Sequence, residues 1–125
     1  MAKKEQEFLS QRQNAVPCPV CDYQAEAADK LAMEYFDRSE AYDRKVCSEL
    51  AVKVGNKLGI AVPANAKEYA KSSRHAAGIR QELVSRLKRK FELENREAWP
   101  LLLAAIERNK PLWEKEYVAG KRPER

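Results

Sequence analysis

Four side chains carry the chemistry that this sequence offers: Cys18, Cys21, Cys47 and His75. Cys18 and Cys21 stand in Pro17-Cys18-Pro19-Val20-Cys21, the C-x2-C spacing with which two thiolates chelate one ion through a tight turn. Cys47 is the third and last cysteine, and His75 is the single histidine. Three thiolates and one imidazole form a Cys3His set. Such a set closes a tetrahedral Zn2+ site and leaves no open position for a substrate. The expected cofactor is therefore structural zinc. The full spacing, C-x2-C-x25-C-x27-H, follows no standard finger. Cys47 among Val46, Leu50 and Ala51 also reads as a small buried hydrophobe, and His75 as a partly buried helix residue. Asp22 or a second chain is an alternative source of the last ligand.

Cys-Pro-Val-Cys also has the C-P-x-C form seen in glutaredoxin-type dithiols. That chemistry needs a strand leading into the first cysteine and a helix N-terminus beneath it. Residues Phe8 to Val16 do not alternate like a buried strand, and no βαβ pattern surrounds them. Other catalytic sets are missing too. One histidine is available as a base, and there is no phosphate loop and no H-E-x-x-H. A non-catalytic protein is expected.

Charge placement supplies the functional candidate. The chain has a net charge of +5, yet residues 66–90 alone carry +6. Within that segment Arg74, Arg80, Arg86, Lys88, Arg89 and Lys90 are the candidate phosphate contacts of a nucleic-acid-binding helix. The competing reading is a solvated face whose last turn pairs with Glu92, Glu94 and Glu97. Residues 24–40 carry −3. This stretch, or the Trp113/Tyr117 end, would serve an adapter or inhibitor that docks on another protein. A small polarised chain suits an accessory regulator of the kind that phages and mobile elements encode. The partner is thus DNA or RNA, or a protein whose acidic surface meets the basic helix. Buried tryptophans with an open basic face would favour nucleic acid; an exposed aromatic patch would favour protein. A helix-turn-helix is a further candidate, with Ala51-x3-Gly55 in the motif's alanine and glycine places.

The elements that must position these residues are helical. Hydrophobic content is 44%, charged content 34%, and there are only four glycines. Residues 1–23 read as an arm carrying the knuckle, with a short helix as the alternative over 2–14 and helix excluded through the knuckle itself by Pro17 and Pro19. Ala28, Leu31, Ala32, Tyr35 and Phe36 form one helical stripe; Tyr42, Val46, Leu50, Val54 and Leu58 form a second. Asp37-Arg38-Ser39-Glu40 either breaks them, with Asp37 or Ser39 as an N-cap, or is the wet face of one long helix; the break is the reading slightly preferred. Gly59 and Pro63 stop this region, and Asn65 with Glu68 starts the next helix, which runs to about Leu93. Ala76, Ile79, Leu83, Leu87 and Phe91 should point inward. A break near Ser72-Ser73 is a further option. Trp99-Pro100 opens another helix, Asn109-Lys110-Pro111 interrupts it, and a short last helix stops at Gly120. Residues 121–125 read as a mobile basic tail.

The expectation is one all-α domain over 1–125: arm and knuckle (1–23), a helical core (24–120) of five or six helices, and the tail. No apolar run is long enough to cross a bilayer, and the first residues have no apolar signal core. An odd cysteine count with a metal-like pair suits a reducing cytoplasm.

Overall fold

The computed structural model describes residues 19–52 and 58–122. These residues form an all-α fold of three long helices with one minimal hairpin. The order is α1 (Pro19–Val46), β1 (Glu49–Leu50), β2 (Ala61–Val62), α2 (Ala66–Phe91) and α3 (Asn95–Val118). α1 is the central element and packs lengthwise on both α2 and α3.

The core comes from one stripe on each helix. α1 contributes Ala28 and Ala32, α2 contributes Ile79, Leu83, Val84 and Leu87, and α3 contributes Ala98, Leu102 and Ala105. Leu83, Leu87 and Leu102 are fully buried. Each such side chain contributes about 1.5–3 kcal/mol by leaving water. The alanines of α1 and α3 against the larger residues of α2 and Leu102 let the helices approach while filling the space between them.

Three long helices replace the expected five or six because polar and proline signals that suggest breaks are absorbed. Asp37 to Glu40 stay helical, since their side chains bond to neighbouring elements and do not cap a new helix. Asp37 accepts the Trp113 Nε1–H at 2.9 Å, Arg38 reaches α2, and Glu40 accepts from the Tyr117 hydroxyl at 3.1 Å. Ser72 and Ser73 lie inside α2 without a break. α3 contains both Pro100 and Pro111. They are spaced by eleven residues, about three turns, and so lie on one face. That face is exposed, as are Arg96 and Glu107, whose carbonyls lose their partners to the prolines. Water can satisfy these carbonyls, so the helix continues.

Pro19 also sits within helix, as the first residue of α1, where the missing N–H costs nothing. The helix therefore reaches through Cys21, against the expectation of a helix-free knuckle. Residues 1–18, including Cys18, lie outside the described residues.

The second apolar stripe of the sequence is not helical at its end. α1 stops at Val46, and Leu50 is an exposed strand residue paired with Ala61. Ala51 continues the hairpin, donating its N–H to the Ile60 carbonyl at 2.8 Å and accepting from Gly59 at 3.1 Å. Gly59 takes φ +70, which its missing side chain permits. Ala51 thus belongs to no helix-turn-helix, and Gly55 lies outside the described residues.

α2 begins as expected. Asn65 Oδ1 accepts the Glu68 N–H at 2.9 Å. Glu68 turns its own carboxylate to the N–H groups of Ala64 (2.8 Å) and Ser48 (3.0 Å), fixing the hairpin to the helix start. At the far end Glu92 takes the left-handed conformation (φ 55), and the N–H groups of Glu92 and Leu93 both reach the Lys88 carbonyl. The chain turns within three residues, and Glu94 with Glu97 forms the capping box of α3.

The chain's end is tied down at least as far as Arg122. Its guanidinium grips Asp37 through Nε (3.1 Å) and Nη2, and Glu116 through Nη1 (2.9 Å). A mobile tail was expected from residue 121; Arg122 is instead a clasp between the end of the chain and the middle of α1.

Candidate functional site

α2 presents one exposed stripe toward the groove it forms with α1. Lys67, Lys71, Arg74, Gly78, Glu82, Ser85 and Arg89 recur at three- and four-residue steps and so share a face. From Lys67 to Arg89 the stripe spans about 33 Å of helix. The groove beside it has a volume of about 400 Å3 and is lined by Arg38, Tyr42, Lys71, Arg74, His75, Gly78, Ile79 and Glu82. Tyr42 and His75 stack within it, centroids 3.9 Å apart and 11° from parallel. Gly78, with no atom near the place of a Cβ, keeps the groove wall low.

The acid in the stripe is neutralised locally. Arg38 forks onto both oxygens of Glu82 at 3.0 Å and also reaches Glu34 at 3.0 Å. Arg86 joins Glu34 at 3.0 Å and Glu82 at 2.5 Å. The hydrogen bond from Arg38 holds the Glu82 carboxyl below the usual carboxylate range. Each of these half-exposed pairs adds little to stability. Their larger effect is electrostatic: Glu82 no longer opposes the neighbouring cations.

The six basic candidates divide. Arg80 donates to the Tyr35 hydroxyl at 2.9 Å and lies over its ring, and Arg86 is held by Glu34 and Glu82. Both are part of the helix interface. Arg74 and Arg89 are exposed on the stripe, whereas Lys88 and Lys90 flank it on opposite sides. Lys90 rests over the Phe91 ring. Lys67 and Lys71 count toward the +6 of residues 66–90 but are not among the six candidates, and neither are Arg38 and Tyr42. The helical period would have found the two lysines, but the α1 partners required knowledge of how the helices pair.

The metal candidates are not gathered among the described residues, where no three His, Cys, Asp or Glu side chains lie close enough to hold an ion. His75, in α2, stacks on Tyr42 of α1, and Cys47 follows the last residue of α1. Burial pushes the Cys47 thiol up, and the negative charges of Asp43 and Glu68 add to this. A protonated, partly buried thiol fits the packing role of a small hydrophobe. Cys18 and the side chain of Cys21 lie outside the described residues.

The acidic stretch offers little free surface. Asp29 holds Arg108 and the Asn109 amide (2.7 Å), Glu34 holds two arginines, and Asp37 and Glu40 serve α3 and the hairpin. A smaller cavity of about 110 Å3 lies between α1, β2 and α3, with Phe36, Ile60 and Trp113 in its walls and Glu40 and Asp43 beside them. Burial raises both carboxyls above their ordinary values. Trp113 is buried, and Trp99 packs half-buried against the core. Among the described residues no helix is long and apolar enough to cross a membrane. Comparison of the chain with protein-family models, curated proteins and solved structures finds no match.

Proposed function

We propose that this chain is a small, non-catalytic nucleic-acid-binding accessory protein whose contact surface is the exposed stripe of α2 from Lys67 to Arg89. The observation that carries the reading is the row Lys67, Lys71, Arg74 and Arg89 on one face, with Glu82 in its middle neutralised by Arg38 and Arg86. A local field of one sign draws polyanions, and each phosphate that meets a lysine or arginine releases counterions. Burial of Trp113 and the internal use of the acids on α1 weigh against a protein-docking surface at those places.

The triple reversal Lys71→Glu, Arg74→Glu, Arg89→Glu leaves the core untouched. It should keep the native circular dichroism spectrum while abolishing the mobility shift of labelled DNA and RNA. Single reversals should each reduce the log-log salt slope by about one. Absence of any shift by the native protein at low salt would overturn the reading.

Structural Zn2+ belongs to the same proposal. Cys18 and Cys21 are the principal ligands; the length of α1, about 37 Å from Cys21 to Val46, keeps Cys47 and His75 away from that pair, so Asp22 or a second chain completes the site. The first turn of α1 contains Cys21, so an ion there would anchor the helix start. Protein purified without chelator should contain about one zinc per chain. Cys18→Ser with Cys21→Ser should remove the metal and lower Tm; unchanged metal content rejects zinc at this pair.

A further inference from the structure

We infer that the α1/α2 groove accepts an unpaired nucleotide, so that the occupant of the stripe is a single strand of DNA or RNA and not a duplex. The inference rests on the nucleic-acid reading above and narrows it.

Three features favour an unpaired strand. First, the site is concave. The groove lies between two packed helices and has a volume of about 400 Å3, within the range of pockets that enclose one small ligand. A duplex, by contrast, is read by an element that protrudes into its major groove, about 12 Å wide. The rings in the groove, Tyr42 and His75, are only partly exposed and sit between the two helices. Second, the groove combines cations with aromatic rings. Lys71 and Arg74 line it together with the stacked Tyr42 and His75. Phosphate beside a ring is the chemistry of a nucleotide whose base has left its pair, since a paired and stacked base keeps both its faces covered. Third, the cations extend the groove into a track. Lys67 and Arg89 lie on the same face at the ends of about 33 Å of helix, a length matching roughly ten nucleotides at stacked spacing. Gly78 and Ser85 put small side chains between the cations, which leaves the backbone of a strand room to follow the helix.

The experiment titrates the full-length protein with a fluorescent oligonucleotide of about twelve nucleotides, as DNA and as RNA, each single-stranded and annealed to its complement. Single strands should bind at least about tenfold more tightly than duplexes at equal salt, the size of effect that one base–aromatic stack gives. Tyr42→Leu keeps much of the apolar volume and removes the ring. It should bring the single-strand affinity down toward the duplex value with the salt slope unchanged, because the phosphate contacts remain. A fluorescent purine analogue at the centre of the single strand should be quenched on binding the native protein, a readout that does not depend on the variant folding. Equal or tighter duplex binding overturns the single-strand inference and leaves the broader reading standing. A preference that survives Tyr42→Leu, or an unquenched purine, rejects the groove as the seat of the base. No binding of either form defeats the broader reading itself.

Discussion

Asp37→Ala should lower the unfolding free energy by about 3 kcal/mol, read from urea denaturation. Asp37 is 10% exposed and Arg122 is 19% exposed, so their contact is largely shielded from water. The carboxylate takes the Trp113 indole N–H from α3 and two guanidinium N–H groups from the end of the chain. Alanine would strand the indole donor in a buried position and leave Arg122 with Glu116 as its remaining acid. An unsatisfied buried donor costs about 1–3 kcal/mol, and breaking a buried ion pair from one side costs more than its net worth. Arg122→Ala should cost less, because Asp37 keeps the indole. The double variant should fall short of the sum of the two, as expected of residues in one network. A loss below about 1 kcal/mol for Asp37→Ala would show that water replaces the carboxylate readily.

Mild acid should stabilise the fold. Burial raises the Glu40 carboxyl above 4.5 and the Asp43 carboxyl above 3.8. Glu40 faces Arg44 and Asp43 on its own helix, the Tyr117 hydroxyl from α3 and the Ala61 N–H from β2; Lys110 and Glu114 line the same cavity. Between the raised native values and the unfolded ones, the folded chain binds more protons than the unfolded chain. Stability therefore grows as pH falls from neutrality into that window. Below 4.5 the sign reverses. Glu68 and Glu82 are held low by hydrogen bonds from Ser48 and Arg38, and their contributions disappear on protonation. Tm measured in about 0.15 M salt, which screens the net positive charge, should peak on the acid side of neutrality. Glu40→Gln should flatten the rise. A steady fall of Tm from pH 7 to 5 in the native protein would contradict the assignment.

α2 is legible in the sequence because its signals are local. Asn65 caps it, Ala76, Ile79, Leu83 and Leu87 keep the helical period, and all four are buried. α1 is only half legible. The polar run at Asp37 to Glu40 looks like a break because its partners, Trp113, Glu82 and Tyr117, lie 44 to 77 residues further along the chain. The helix–hairpin boundary is hidden for a related reason. Leu50 continues the four-residue spacing of Tyr42 and Val46, yet tertiary pairing with Ala61 draws it into a strand. At the candidate site the cluster of cations is readable from composition, but its division is not. Arg80 and Arg86 belong to the helix interface only because Tyr35 and Glu34 lie opposite. Nothing in residues 66–90 alone reveals that pairing.

The two aligned prolines of α3 bear on the order in which the molecule assembles. An interior proline costs an isolated helix about 3 kcal/mol, and a 24-residue segment carrying two has little helical tendency of its own. α3 therefore depends on a surface already formed by α1 and α2, which both precede it in the chain. A sequential assembly is therefore expected, in which the first two helices make a template and the third is moulded onto it. On that order the apolar seam between α1 and α2 is filled only when α3 docks and Trp113 meets Asp37. The strap at Arg122 closes only after α3 has been made.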